Sequence, residues 1–175
     1  ADSDGDNCSD VVEAGFSDPN GDGFLGSNPV IVDNNGLVIS AAGYATPIDN
    51  DNSGVLDYLE DLIQIQIITQ PEELVKVAPD EMIEIKIETS PQQDIEIKWQ
   101  ISKDSGNSWS DLQESSDFQG VTSYNLKIYN SRDEWVGWKF RASLRDTSMV
   151  CSEEIFSDES SLDYQELFIP NAFSP

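Results

Sequence analysis

Three stretches near the amino end of the sequence place oxygen-bearing side chains at regular intervals. In "DNDNSGVLDYLE", residues 49–60, these side chains stand at positions 1, 3, 5, 9 and 12, and Gly54 stands at position 6. This is the spacing of a twelve-residue calcium loop, in which position 6 turns sharply and position 7 offers its backbone carbonyl. The predicted ligands of this third loop are Asp49, Asp51, Ser53, Val55 through its carbonyl, Asp57 and Glu60.

The same register occurs twice earlier in the chain. The first loop, "DSDGDNCSDVVE" (residues 2–13), has Cys8 at the carbonyl position and Asn7 where glycine is usual, and Asn tolerates a left-handed backbone. The second loop begins "DPNGDGFLG" at residue 18, but its position 12 is Pro29, so it must borrow a carboxylate or bind weakly. We expect roughly two or three Ca²⁺ ions in all. The predicted ligands are Asp2, Asp4, Asp6, Cys8, Asp10 and Glu13 in the first loop, and Asp18, Asn20, Asp22 and Phe24 in the second.

A strongly acidic charge balance accompanies these loops. The chain has 34 acids against nine Lys and Arg, a net charge of -25, and residues 1–60 hold ten Asp, two Glu and no base. A compact fold of that segment without cations would suffer strong self-repulsion, so divalent cations are its natural counter-charge. Nucleic acid and direct membrane insertion are disfavoured as partners, because phosphate backbones and anionic lipid are repelled. The alternative is that the segment is a solvated acidic tail. The acids argue against this alternative, because they alternate with Gly, Asn and apolar residues and do not form a continuous run.

The segment between the second and third loops is typical of a β-hairpin. Residues 30–40, "VIVDNNGLVIS", place apolar runs on either side of Asn-Asn-Gly, which tolerates the positive φ of a tight turn. Asp33 beside this turn is predicted to be a turn residue rather than a ligand, because Asp is favoured in turns. We therefore expect a β-ribbon between the two calcium loops.

Beyond Glu60 the sequence consists of short runs, several of which alternate apolar and polar residues. The period of two places Ile83, Ile85 and Ile87 on one face and charged residues on the other, as in a sheet buried on one side. No stretch of comparable length has a helical period, so a β-sandwich is predicted. The runs are residues 64–71, 82–89, 94–102, 123–130, 138–146 and 164–170.

Four tryptophans lie in this β-rich part. We expect Trp99 and Trp109 to pack in the core, because aromatic side chains bury large areas. The alternative for each is an exposed platform that stacks on sugar or protein. Trp135 and Trp138 flank a glycine, and we expect one of the two at the surface.

The two cysteines, Cys8 and Cys151, form no CxxC or Cys/His cluster, so a zinc site or a thiol redox motif has no support. They form either a disulfide between distant parts of the chain or two unpaired small core residues. Both alternatives stay open, because the sequence alone does not show whether their Cα atoms are close enough for a bond. No apolar run of about 18 residues is present to span a membrane. We expect the chain to be a fragment of a longer protein, so a targeting segment would not be visible.

Residues 1–60 resemble thrombospondin type 3 calcium repeats, the aspartate-rich loops of many secreted and bacterial surface proteins. Residues 62–169 resemble bacterial immunoglobulin-like domains through "DIEIKWQIS", "SKDSGNSWSDL" and "WKFRASL". The last residues, "IPNAFSP" (169–175), resemble the start of the C-terminal sorting domain of gliding-motility-associated, type IX-secreted surface proteins of Bacteroidetes. The resemblance implies three parts: a calcium segment with an inserted hairpin over 1–61, an Ig-like β-sandwich over 62–169, and the start of a sorting domain or a linker over 170–175.

The sequence offers no sign of catalysis. It has no His, and therefore no Ser-His-Asp or Cys-His site. It also has no phosphate-binding Gly loop and no GxSxG elbow. Regularly spaced carboxylates fit calcium loops better than an acid/base pair, which needs one perturbed group in a dry pocket. We expect no enzyme activity.

The expected function is that of a calcium-stiffened stalk or adhesion module, extracellular and attached at the outer membrane of the cell surface. One alternative is a polysaccharide-binding module that uses an exposed aromatic such as Trp135 or Trp138. Another is a docking module for secretion or motility-machinery proteins, which rests mainly on the C-terminal resemblance.

Overall fold

A computed structural model describes residues 1–41, 43–60, 64–77, 81–148 and 150–164, with only the backbone of Tyr164. The chain is mainly β, as predicted, and it forms two compact units. Described residues of the first unit lie within 1–64, 93–95 and 145–154, and those of the second within 65–92, 96–144 and 155–164. The expected sorting-domain start at 170–175, and all but the first residue of the run 164–170, lie outside the described residues.

The first unit has little regular secondary structure. Its α-helix, α1, covers Asp10–Glu13, and a 3₁₀ helix covers Asp57–Leu59. The two helices contact one another. Each occupies the end of a predicted calcium loop, so the first and third loops meet through their last turns.

The predicted β-ribbon is present as a tight turn with a short ladder. Val32 and Val38 form a single antiparallel bridge, and the Ile39 amide donates a hydrogen bond to the Ile31 carbonyl over 2.8 Å. Ile31 and Ile39 are both exposed, and a two-stranded ribbon that buries no face is marginal, which explains why the ladder is short.

Asp33 is a turn residue, in agreement with the prediction. Its Oδ1 accepts hydrogen bonds from the backbone N–H groups of Asn35 at 2.8 Å and Leu37 at 2.9 Å. The N–H groups of Leu37 and Asn35 hold the pKa of Asp33 below its usual value, because they stabilise the carboxylate.

The described residues contain eleven strands and a second 3₁₀ helix at Asp133–Trp135. The strands are β1 Gln66–Thr69, β2 Leu74–Val77, β3 Ile83–Lys86, β4 Glu88–Ser90, β5 Ile95–Ser102, β6 Ser110–Asp111, β7 Phe118–Gln119, β8 Asn125–Ile128, β9 Lys139–Asp146, β10 Ile155–Phe156 and β11 Ser160–Tyr164. They build a six-stranded sheet of order β2-β11-β9-β5-β6 with β10 on β9, a three-stranded sheet of order β3-β8-β7, and a pair β1-β4.

The core follows the predicted alternation along the strands. On β3, Ile83 and Ile85 are buried opposite Ile128 and Leu126 of β8, while Glu84 and Lys86 form an ion pair on the other face. Ile87, which follows β3, is buried as well. The inner faces of the six- and three-stranded sheets meet where Phe140 of β9 lies 6.2 Å from Phe118 of β7, between ring centroids. This packing is that of a β-sandwich.

The tryptophans divide between the core and the outer surface of the sheets. Trp99 is fully buried, and its indole N–H donates to the Ser123 carbonyl over 2.8 Å, as expected of a core tryptophan. Trp109 is only half-buried and stacks on the Arg141 guanidinium, so the prediction that it packs in the core is wrong. The reason is a competing partner, because a flat guanidinium covers one face of the indole in place of aliphatic side chains.

Trp135 and Trp138 stack on each other, with ring centroids 5.2 Å apart. Trp135 is buried, Trp138 is half-buried, and the Lys103 ammonium lies 4.5 Å from the Trp138 ring. Neither ring is fully exposed. These contacts leave little of either indole free to stack on a sugar.

Candidate metal centre

The three predicted calcium loops share one side-chain-to-backbone hydrogen bond. In each loop the side-chain oxygen at position 5 accepts from the backbone N–H at position 7. The donor–acceptor distances are 2.6 Å for Asp6 and Cys8, 3.0 Å for Asp22 and Phe24, and 3.1 Å for Ser53 and Val55. The repeated spacing in the sequence therefore corresponds to a repeated local structure.

The loops also share two left-handed backbone positions. Position 6 has a positive φ in every loop, and Asn7 adopts it at 75° where the other two loops have glycine, as predicted. Position 4 is left-handed as well. This was not predicted, although Gly, Gly and Asn at this position could have indicated it. The φ values are 88° for Gly5, 66° for Gly21 and 58° for Asn52 at position 4, and 77° for Gly23 and 91° for Gly54 at position 6.

The carboxylate at position 1 closes each turn. Asp18 accepts from the amides of Asp22 at 3.2 Å and Gly23 at 2.8 Å, and Asp49 accepts from the equivalent amides at positions 5 and 6. These N–H groups, that of Gly23 above all, hold the pKa of Asp18 below its usual value. Asp2 closes a shorter turn by accepting from Gly5 over 2.8 Å.

The first loop brings its acids closest together. Asp2, Asp4 and Asp6 each offer a carboxylate oxygen, and these oxygens lie within 4.8 Å of one another. Within the parts of the chain that the structure describes, neither the second nor the third loop forms such a group of three carboxylates. Asp10 is not part of this group. Its two oxygens accept hydrogen bonds from the backbone amide and the hydroxyl of Ser3, at 2.7 and 2.8 Å.

Several carboxylate oxygens of the first loop are buried without a hydrogen-bond partner among the described residues. They are both oxygens of Asp4, one of Asp6 and one of Glu13, which is only 2% exposed. Burying an unpaired carboxylate is costly, so such groups call for a compensating partner. A cation that accepts oxygen ligands would supply that partner.

Burial and repulsion act together on the ionisation of this cluster. Burial, followed by the charges of Asp6 and Asp4, raises the pKa of Glu13 to about 7. Burial and the Asp6 charge also raise the pKa of Asp4. Both shifts have the sign that crowded carboxylates show when no positive charge is near.

These pKa shifts predict that the melting temperature of the first unit depends on pH, and that calcium reverses the sign of this dependence. Because the pKa of folded Glu13 lies above the ordinary glutamate value of 4.5, its protonation stabilises the calcium-free fold below about pH 4.5, and this stabilisation is lost as pH rises through 7. We expect the first unit, in chelator, to melt at a lower temperature at pH 8 than at pH 5. In calcium the order reverses, because protons compete with the ion.

Differential scanning calorimetry at the two pH values, with and without calcium, measures this effect. Glu13→Gln is the control, since it removes the main titrating group and should flatten the chelator curve. Melting in chelator that does not change between pH 5 and pH 8 would contradict the prediction.

The third loop holds its acids by a different balance of contacts. Asp57 is 1% exposed, and one of its oxygens accepts from the Asn50 amide at 2.8 Å while the other is buried with no hydrogen-bond partner in the described part of the chain. Glu60 accepts from the Ser53 hydroxyl over 2.6 Å. The amide at position 2 thus binds the position-9 carboxylate here, as Ser3 binds Asp10 in the first loop. This contact was not predicted, because a backbone amide leaves no residue-type signal in the sequence.

The second loop is the least complete. Asn20 donates to Asp22 over 2.5 Å, so these two predicted ligands engage each other, and the side chain of Phe24 is 62% exposed. The Ala1 ammonium donates to the Gly23 carbonyl at 3.2 Å. Among the described residues, no third carboxylate joins Asp18 and Asp22 in a group of the kind that Asp2, Asp4 and Asp6 form.

The two cysteines form a disulfide, which resolves the alternatives left open by the sequence. Cys8 is bonded to Cys151, with their Cα atoms 5.9 Å apart, and both belong to the first unit. The predicted position-7 ligand of the first loop is therefore covalently held.

The donor set fits a hard cation. Carboxylate, hydroxyl and carbonyl oxygens in flexible loops suit Ca²⁺, whereas the smaller Mg²⁺ demands a stricter octahedron. No helix formed by the described residues is long and apolar enough to cross a membrane. Comparison with protein-family models and with curated proteins finds no match to the chain.

Proposed function

We propose that this chain is a non-catalytic, calcium-stabilised stalk or adhesion module of a secreted bacterial cell-surface protein. The observation that carries the proposal is the set of buried, unpaired carboxylate oxygens on Asp4, Asp6 and Glu13. An acidic tail in solvent would leave these oxygens hydrated. Their burial is what a loop that encloses a cation requires.

Calcium would act on the first unit mainly through charge. Residues 1–60 carry twelve acids and no base, so a compact form is opposed by self-repulsion. Each bound ion contributes two positive charges at the place where the acids crowd. Calcium would thereby favour an ordered segment, joined in the sequence to a β-sandwich.

The cell-surface part of the proposal rests on the resemblance of the order of modules to gliding-motility-associated and type IX-secreted proteins. A repeating calcium-dependent segment next to an Ig-like domain suits a spacer that holds other parts of a surface protein in place. Extracellular calcium modules bind with dissociation constants of about 10⁻⁴ to 10⁻³ M, so millimolar calcium would keep the loops occupied.

Counting bound ions tests the proposal directly. We expect native mass spectrometry of the calcium-equilibrated chain to show roughly two or three ions, and isothermal titration to show binding in the submillimolar to millimolar range. Glu13→Gln should remove one ion and Glu60→Gln another, because each changes the position-12 ligand of one loop. A chain that retains no calcium at millimolar concentration would overturn the proposed function.

A further inference from the structure

At position 7 the first loop differs from the other two loops. The backbone carbonyl of this residue is the predicted ligand in every loop, so the inference below rests on the proposed function. Phe24 and Val55 expose 62% and 43% of their surface at this position. Cys8 is 5% exposed and is bonded to Cys151. The disulfide thus fixes one position-7 residue covalently, whereas Phe24 and Val55 make hydrogen bonds to the position-5 side chains of their own loops.

The other half of the disulfide is also held in place. Ser152, next to Cys151, accepts a hydrogen bond from the Arg145 side chain at 3.2 Å. The Thr147 amide donates to the Asp94 carbonyl over 2.7 Å. The segment that carries Cys151 is therefore an anchor with its own contacts.

The first loop needs such an anchor more than the others do. Its three carboxylates lie within 4.8 Å of one another and repel, which favours opening of the loop when no cation is bound. Asn7, directly before Cys8, has φ of 75°, which costs more for Asn than for the glycine of the other loops. A bond at Cys8 opposes both effects.

We propose that the Cys8–Cys151 disulfide is a positioning element of the first calcium loop, so that the redox state of these cysteines and the calcium occupancy of this loop are coupled. With the bond intact, the Cys8 carbonyl and the Asp6 carboxylate bonded to the Cys8 amide stay close to a binding geometry. Without it, the ion must order the loop as it binds, and its affinity falls. The coupling is reciprocal, so bound calcium also resists cleavage of the disulfide.

The redox step is thiol–disulfide exchange with an external dithiol. A thiolate of the dithiol attacks one sulfur, the Cys8–Cys151 bond breaks, and the mixed disulfide is resolved by the second thiol of the reagent. Two electrons and two protons pass to the cysteine sulfurs, giving two thiols, and the dithiol is oxidised to its own disulfide.

Calcium titration of the full 175-residue chain tests the coupling loop by loop. The variant Cys8→Ser/Cys151→Ser is compared with the disulfide-bonded parent in two backgrounds. Glu60→Gln weakens calcium binding by the third loop, so a titration in this background measures mainly the first loop. Glu13→Gln weakens calcium binding by the first loop, so a titration in that background measures mainly the third loop. Any ion in the second loop contributes to both arms.

We expect loss of the disulfide to weaken calcium binding about tenfold in the Glu60→Gln background, within the usual range of coupling between sites, and to leave the Glu13→Gln background unchanged. Equal affinities with and without the disulfide in the Glu60→Gln background overturn the inference. Equal weakening in both backgrounds also overturns it, since the bond would then only stabilise the whole unit. A disulfide-bonded parent that binds no calcium overturns the proposed function instead.

The reciprocal measurement does not require the serine variant to fold. The equilibrium between the disulfide and the two thiols is measured by thiol titration in mixtures of reduced and oxidised dithiothreitol, with and without saturating calcium. We expect calcium to shift this equilibrium about tenfold toward the disulfide in the Glu60→Gln chain and to have no effect in the Glu13→Gln chain. The same equilibrium with and without calcium in the Glu60→Gln chain overturns the coupling.

Discussion

Removal of calcium is expected to increase protease cleavage within residues 1–60 by about 100-fold, while cleavage of the strands from residue 65 onwards changes little. The size of this increase follows from mass action, because calcium binds the closed form of each loop and not the open form. At 10 mM calcium and a dissociation constant of about 1 mM, each ion lowers the open population about tenfold, and two ions act together. Without them, the carboxylates of this segment repel one another, with no Lys or Arg among residues 1–60 to compensate.

Limited proteolysis with a protease that needs no calcium, followed by peptide mass spectrometry, measures this effect. Peptides from β3 and β8 serve as the internal control, because buried isoleucines and Leu126 hold these strands together without any charged ligand. Magnesium at the same concentration should protect much less, since it is reluctant to shed its water. Equal cleavage of residues 1–60 in calcium and in chelator would contradict the calcium-stabilised segment.

Local spacing made the three loops predictable from the sequence. Each hydrogen bond from position 7 to position 5, and each left-handed residue at position 6, joins residues that are neighbours in the chain. Asn7 could be placed in advance because the conformation belongs to the position and Asn is one of the few side chains that tolerates it. The alternation around Ile85 was predictable for the same reason, since a period of two fixes which face is buried.

Contacts between distant parts of the chain could not be predicted in this way. Strand β2 pairs in parallel with β11, matching Leu74 with Ser161, although residues 160–164 lack a clear apolar alternation. The Cys8–Cys151 pairing needs the fold to bring its partners within reach. The half-buried position of Trp109 depends on Arg141 of β9, which no local pattern around the tryptophan indicates.

Asp4→Asn is expected to have opposite effects on calcium binding and on calcium-free stability. Both oxygens of Asp4 are buried and have no hydrogen-bond partner among the residues that the structure describes, and burial together with the Asp6 charge raises the pKa of Asp4. Asparagine keeps the shape but removes the charge. We expect the calcium affinity of the first loop to fall by at least about tenfold, as for other losses at a metal site. In chelator the first unit should melt at a higher temperature at pH 8, because one repelling charge is gone.

Asp33→Asn is the matched control for this substitution. It makes the same change in charge within the same unit, but at an exposed hairpin turn, where backbone N–H groups lower the pKa of the carboxylate. We therefore expect unchanged calcium affinity and no gain of stability in chelator for this variant. Calcium titration and calorimetry on the two variants separate a ligand-site effect from a reduction in net charge. Equal behaviour of the two variants would mean that Asp4 acts only through the overall charge, and that the first loop does not hold an ion through its buried oxygens.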